Sequence, residues 1–395
     1  MAISRRSFLY TSGLAVAAPF YAKLLSDKAE AALSLPQYLV PFTDPKFGNK
    51  VVRVTDPLKP VPGLNLTWEK IARHHYSLDQ AWNADQTLLM MNKGTSGRLF
   101  LDGMTYKPLF NLKNPGSLRW HQTNPDLTVF LGSKGVGYWN VRKNTVQVLS
   151  PLTGYTSLGW GDNTGNPSDD GTMIEITATR SDGKKVIFAY DLVAAKKYPD
   201  IDMSGWYEVG ETTISPLKKC IVSFSRKTSS ANKQYLIFSL DGKLLQSWAP
   251  DYERPGHNDY TVDRNGDEVA VGRSKYDDYK FITRRLADDK ITFIGNRCKA
   301  SHTSARNLRN PGWVFCSFSQ GTPSSSQMPF FNEITAVATD GSQTGRRLAE
   351  HNSVDDVYDA EPHGSPSPDG KKAIFASNWG VKGGPIAAYV AEFKS

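Results

Sequence analysis

An all-β, seven-bladed β-propeller is the fold this sequence predicts. Three observations predict it: a turn-plus-strand unit repeated seven times, a second hairpin after most copies, and a spare strand near the N-terminus. The copies read WNADQTLLMM from Trp82, TNPDLTVFLG from Thr123, PSDDGTMIEI from Pro167 and SPLKKCIVSF from Ser215. They continue as DRNGDEVAVG from Asp263, LRNPGWVFCSF from Leu308 and SPDGKKAIFAS from Ser367. Between Thr87, Thr128, Thr172, Lys219, Glu268, Trp313 and Lys372 the steps are 41, 44, 47, 49, 45 and 59 residues. Gly, Pro, Asn and Asp set each turn, and the Val/Ile/Leu/Phe run after it suits a strand buried on both faces. A period of roughly 40 to 50 residues with four short strands is that of a propeller blade.

The remaining elements follow in order. Hairpins are expected at 98–112, 137–149, 184–198, 234–248, 280–295 and 332–348. The seventh unit has one outer strand left, Ile386 to Phe393, and Lys50 to Thr55 (KVVRVT) is the expected fourth strand. Pairing the two ends of the chain removes an open sheet edge. Two packed sheets would require neither even spacing nor a spare strand. Residues 32–73 thus read as an N-terminal segment carrying the closing strand, and 74–395 as one propeller domain.

Residues 1–31 read as an export signal. Ser4-Arg5-Arg6-Ser7-Phe8-Leu9 matches the twin-arginine pattern, a modest apolar run follows from Leu14 to Leu25, and Ala29-Glu30-Ala31 offers a cleavage site. The run is broken by Pro19 and Lys23 and is too short to span a bilayer. A periplasmic or secreted protein, not spanning a membrane, is therefore expected. That route carries folded chains, which favours a cofactor or metal loaded beforehand. Cys220, Cys298 and Cys316 make no disulfide framework.

The chain carries a formal charge of +8; removing Arg5, Arg6, Lys23 and Lys28 together with Asp27 and Glu30 leaves 8 − 2 = +6. A moderately basic exported protein suits an anionic partner. Nucleic acid is a poor fit, because no dense Lys/Arg tract or reader motif occurs. A monomer is expected.

Five of the seven histidines, His75, His121, His257, His302 and His363, lie a few residues upstream of a turn in units one, two, five, six and seven. In a propeller that region is the innermost strand or the loop feeding it, so five imidazoles are expected around one mouth of the central channel. Repeated scaffold residues would bring repeated neighbours, yet the contexts differ: RHHYS, RWHQT, PGHND, ASHTS and EPHGS. His257, His302 and His363 come from consecutive units and are candidate ligands for one divalent metal, Mn, Zn or Ca. Alternatively, one of His257, His121 and His75 is a general base, with Tyr76 as proton donor. Arg73, Arg119, Arg254 and Arg306 stand beside these histidines and suit a bidentate grip on a carboxylate. Arg119 is counted with the catalytic candidates, and Arg73, Arg254 and Arg306 with the substrate-binding ones. Trp160 is a candidate platform for stacking a sugar. No G-x-S-x-G, H-E-x-x-H or EF-hand loop occurs.

Four stretches carry a resemblance: DPKFGNKVVRVTD at 44–56, HHYSLDQAWNADQTLL at 74–89, the His302 unit ending in FCSFS, and EPHGSPSPDGKKAIFASNWG at 361–380. The chain resembles the seven-bladed propeller polysaccharide lyases, above all the oligogalacturonate lyases and more loosely the ulvan lyases. The resemblance implies a metal-assisted β-elimination on an anionic, uronate-containing glycan. It also implies a metal held by a His opening one blade, matched by His302, and by a Gln and two His opening the last. His363 matches one of that pair. Ser365 and Ala360 stand where the second His and the Gln belong, so His257, Glu361 or Asp359 would have to substitute. The same wording is shared with TolB-like propellers, which implies a non-catalytic binder of a protein or cell-envelope partner as the alternative. An exported metal-dependent hydrolase or oxidoreductase is a third possibility.

Overall fold

The computed structural model describes residues 34–133, 135–248, 255–274, 280–295, 300–318 and 330–394. Residues 1–31, read above as an export signal, Arg254, Cys298 and residues 321–329 lie outside them. Among the described residues the strands form seven sheets in chain order around a ring, one per repeat, as the spacing predicts. Blade 2 is representative: Ser117–Trp120, Leu127–Gly132, Gly135–Asn140 and Thr145–Ser150 pair antiparallel from inside to outside. Blades 4, 5 and 6 have the same four strands, with innermost members Glu208–Ile214, Pro255–Val262 and Ala300–Ser304. In blade 1 the innermost strand shrinks to a single bridge, Trp82 to Leu89.

The recurring turn has a local cause. A side-chain oxygen of Asn83, Ser168, Ser215 or Ser367 accepts the backbone N–H of Leu88, Met173, Cys220 or Lys372, at 2.9–3.2 Å. This short polar residue, five before the start of the buried strand, joins the inner strand to the next and makes the tight reversal.

Blade 7 closes the ring. Ser365–Pro366, Lys372–Ser377 and Ile386–Glu392 come from the C-terminus, and Lys50–Arg53 pairs antiparallel with the last of these (Lys50 opposite Glu392, Arg53 opposite Tyr389). Ile71–Ala72 adds in parallel to Ile386–Ala387. Val51, Val52 and Val54 are buried in the closing blade, so the seam is apolar as well as hydrogen-bonded. No helix among the described residues is long and apolar enough to cross a membrane.

Candidate active site

Inner strands run the same way along the channel, so their starts share one mouth and their ends the other. Contacts between blades follow this rule. Nε2 of His74 lies 2.7 Å from the carbonyl of His363, and Tyr76 packs edge-on against the rings of His302 (5.1 Å) and His363 (4.9 Å). All of these lie at strand starts.

Three side chains converge there. The rings of His302 and His363 stack with centroids 3.9 Å apart, and Glu361 Oε2 lies 3.4 Å from His302 Nδ1 and 3.7 Å from His363 Nε2. Donor atoms of the three fall within 4.8 Å of one another. Both imidazoles are almost fully buried, yet His302 Nδ1 and both ring nitrogens of His363 make no hydrogen bond. Buried polar atoms are ordinarily satisfied, so these point to a missing partner. Burial first, then His257 and Arg73, hold the His302 pKa far below its ordinary value. Burial and then Arg73 do the same for His363. Both rings are neutral and able to donate a lone pair.

His257 stands beside this set rather than in it, its ring perpendicular to His302 at 5.1 Å. A bulge between Gly256 and Asp259 turns it out to the mouth, where it is exposed. His257 and His363 both adopt positive φ, +47° and +46°. Neither is glycine, and such conformations cost energy that the surrounding structure must offset; they cluster where a side chain has to be aimed. The walls of the mouth, then Arg273, hold the His257 pKa below its ordinary value, so it accepts a proton at neutral pH. Tyr76 is the reverse case: burial, then Glu211, push its phenol far up, and it keeps its proton.

Several expected members are elsewhere. His121 is not at this mouth. It ends an inner strand, its N–H bonds the carbonyl of Leu127, and its Nδ1 accepts from Asn124 N at the opposite end of the channel. His75 is part-exposed and ion-paired with Asp79. Trp160 is no open platform: it is wholly buried in the core beneath blades 2 and 3, its indole donating to the Ser117 carbonyl. The arginines are also committed. Arg73 donates to the carbonyls of Asp359, Glu361, His74 and His75, a buried clamp that holds the loop carrying Glu361. Arg119 donates to the carbonyls of Leu118, Gly165 and Asn163 and faces Asp79 at 3.1 Å. Arg306 forks onto Asp259 at 2.8 and 2.9 Å. A buried cation must be paired, and these guanidiniums are spent inside the protein. Ser365 donates to the Asp79 carbonyl and Ala360 is buried among Ala376 and Ile386, so neither takes the place of a ligand.

Two residues were not singled out by spacing. Glu361 sits two positions before His363, and only the resemblance offered it, as one of three possible substitutes for the missing ligands. Arg273 is half-buried, ends the second strand of blade 5 opposite Gly256, and acts electrostatically on both His257 and His302. Nothing local marks it, because the bulge brings it there.

A seven-bladed propeller with an imidazole-carboxylate cluster at one mouth is the class that fold and site define. No protein-family model matches the chain, and no curated protein matches it in sequence. Among solved structures it is similar to an oligogalacturonate lyase in complex with manganese, with a TM-score of 0.63 and 14% identity over 90% of this chain and 96% of that one. It is also similar to the oligogalacturonate lyase of Vibrio parahaemolyticus, with a TM-score of 0.63 and 13% identity over 90% of this chain and 97% of that one. At these identities the likeness establishes the propeller fold.

Proposed function

We propose that this protein is a metal-assisted lyase that cleaves uronate-containing glycans by β-elimination. The observation that carries the reading is the pair of buried, unpartnered imidazoles converging on Glu361 at the channel mouth. Support comes from the fold shared with oligogalacturonate lyases, one of them a manganese complex.

His302, His363 and Glu361 would hold a divalent ion, and two nitrogens with one carboxylate oxygen suit manganese or zinc better than calcium. When bound, it would neutralise the C6 carboxylate, without which the C5 proton is too weak an acid to remove. His257, neutral and exposed, accepts the C5 proton. The C5–H electrons form the C4–C5 double bond, the bond from C4 to the glycosidic oxygen breaks, and the leaving oxygen takes a proton. Tyr76, held in its phenol form, supplies that proton. Arg273 adds positive charge beside His257, which favours the approach of an anionic sugar.

Incubation with polygalacturonate, alginate, ulvan and glycosaminoglycan fragments tests the reading through the ultraviolet absorbance of the unsaturated product. Release on one of these, lost with chelator and restored by manganese or zinc, supports it. Absence of absorbance on all four, with the metal site loaded, overturns it. We further propose export by the twin-arginine route, supported by the order of Arg5-Arg6, Phe8-Leu9 and Ala29-Glu30-Ala31. Replacing Arg5 and Arg6 by lysine should retain the precursor in the cytoplasm; unchanged export would refute this route.

A further inference from the structure

A second constellation lies in the channel, separated from the histidine cluster by Tyr76, which feels Glu211 on one side and packs against His302 and His363 on the other. Glu211, Asp169, Asp259, Arg306, Asn166 and Tyr260 line a narrow cleft against blades 3, 4 and 5. Three carboxyl groups share the cleft with one guanidinium. Asp259 is satisfied by Arg306 and by the N–H groups of Ala305 and Tyr260. Glu211 is different: no hydrogen bond reaches its carboxylate among the described residues, and nearby Lys233 is paired with Glu208 at 2.6 Å. Burial, then the neighbouring acids Asp162 and Asp259, lift Glu211 to about 7. Burial lifts Asp169 to about 6, with Asp259 adding to it against the pull of Arg306.

An independent observation points to a ligand. Asn166 is 6% exposed, and its amide nitrogen donates to the carbonyls of Leu78 and Thr164. Its amide oxygen has no partner. A buried acceptor lining the same cleft as an unpaired carboxylate calls for a cation rather than an anion, and the lining side-chain atoms able to ligate one are oxygens. Clustered carboxyl and amide oxygens match a hard divalent ion, and the nitrogen-rich mouth does not. We propose that this cleft is a calcium site, with Glu211 and the Asn166 amide oxygen as ligands, that braces blades 3 to 5 around the channel.

The test uses calcium alone as the probe on the full, chelator-treated protein, by equilibrium dialysis and thermal unfolding. One calcium per chain is expected, with Tm raised by about 2–4 °C at saturating calcium. Glu211→Gln should abolish both effects. Asn166→Asp, which adds a charge at the same place, should tighten binding about tenfold, the opposite direction from damage to the fold. Glu361→Gln should leave calcium binding unchanged. No calcium bound at millimolar concentration overturns the proposal. So does binding that survives Glu211→Gln or disappears with Glu361→Gln, since the ion would then belong elsewhere.

Discussion

His302 and Trp160 show how the surroundings decide what a buried ring does. His302 is buried at the edge of the channel with an idle nitrogen, and its ring contacts are with the other rings of the site, His363, Tyr76 and His257. His302→Ala should cut divalent-metal binding at least tenfold in titration calorimetry while the unfolding midpoint falls by only a few degrees. Trp160 is the opposite case. Its indole fills the core beneath blades 2 and 3, under the Arg119 guanidinium at 5.3 Å. Trp160→Ala should cost about 3–5 kcal/mol of stability, measured by denaturant unfolding, because it leaves a large cavity. A variant that kept its stability and lost only substrate affinity would contradict that placement.

At the scale of the element, the closing strand matters most. Lys50–Arg53 completes blade 7 and brings Val51, Val52 and Val54 into its core. Removing residues 44–56 exposes that apolar area and frees the edge of Ile386–Glu392, at a cost on the order of 4 kcal/mol or more. Unfolding should then occur at much lower denaturant and be accompanied by aggregation, whereas trimming Lys394-Ser395 should change little. The same unfolding midpoint in both truncations would show that the seam is not what holds the ring. The bulge that turns out His257 is the other decisive element. It breaks the ladder between Gly256 and Asp259, and so sets side by side a ring from an inner strand and Arg273 from the next.

At the scale of the whole molecule, a residue outside both sites adds a pH dependence of its own. Glu175, in the second strand of blade 3, is 1% exposed, takes one hydrogen bond from Thr177 and has its other oxygen unpartnered. Burial raises its pKa from 4.5 to about 8. The folded protein therefore holds a proton that the unfolded chain releases above about pH 4.5. Stability is fully present below that pH and declines as pH rises through about 8, by an amount on the order of a few kcal/mol. Glu175→Gln, which is neutral throughout, should raise the unfolding midpoint at about pH 8.5 and leave it nearly unchanged at about pH 4. Equal shifts at both pH values would refute the assignment.

The repeat was legible because it is written locally. Four of the turns are set by an Asn or Ser whose side chain accepts the N–H five residues on, and each strand by an apolar run, so seven copies could be counted along the chain without knowing how they pack. The closing strand followed from arithmetic, one strand missing at one end and one spare at the other. The site was legible only in part. His121 and His363 both precede a turn, but His363 stands four residues before Ser367, whereas His121 is itself the turn residue, and that offset assigns them to opposite mouths. Whether an arginine meets solvent or a carbonyl cannot be read from its neighbours in sequence: Arg73 clamps carbonyls of residues nearly 300 positions away, and Arg306 is claimed by Asp259 of the preceding blade. Glu361 and Arg273 reach the mouth through a loop and a bulge, where the backbone leaves its regular period. Local hydrogen bonding and hydrophobic burial determine the blades from sequence, while the partners of buried charges are decided only when the ring closes.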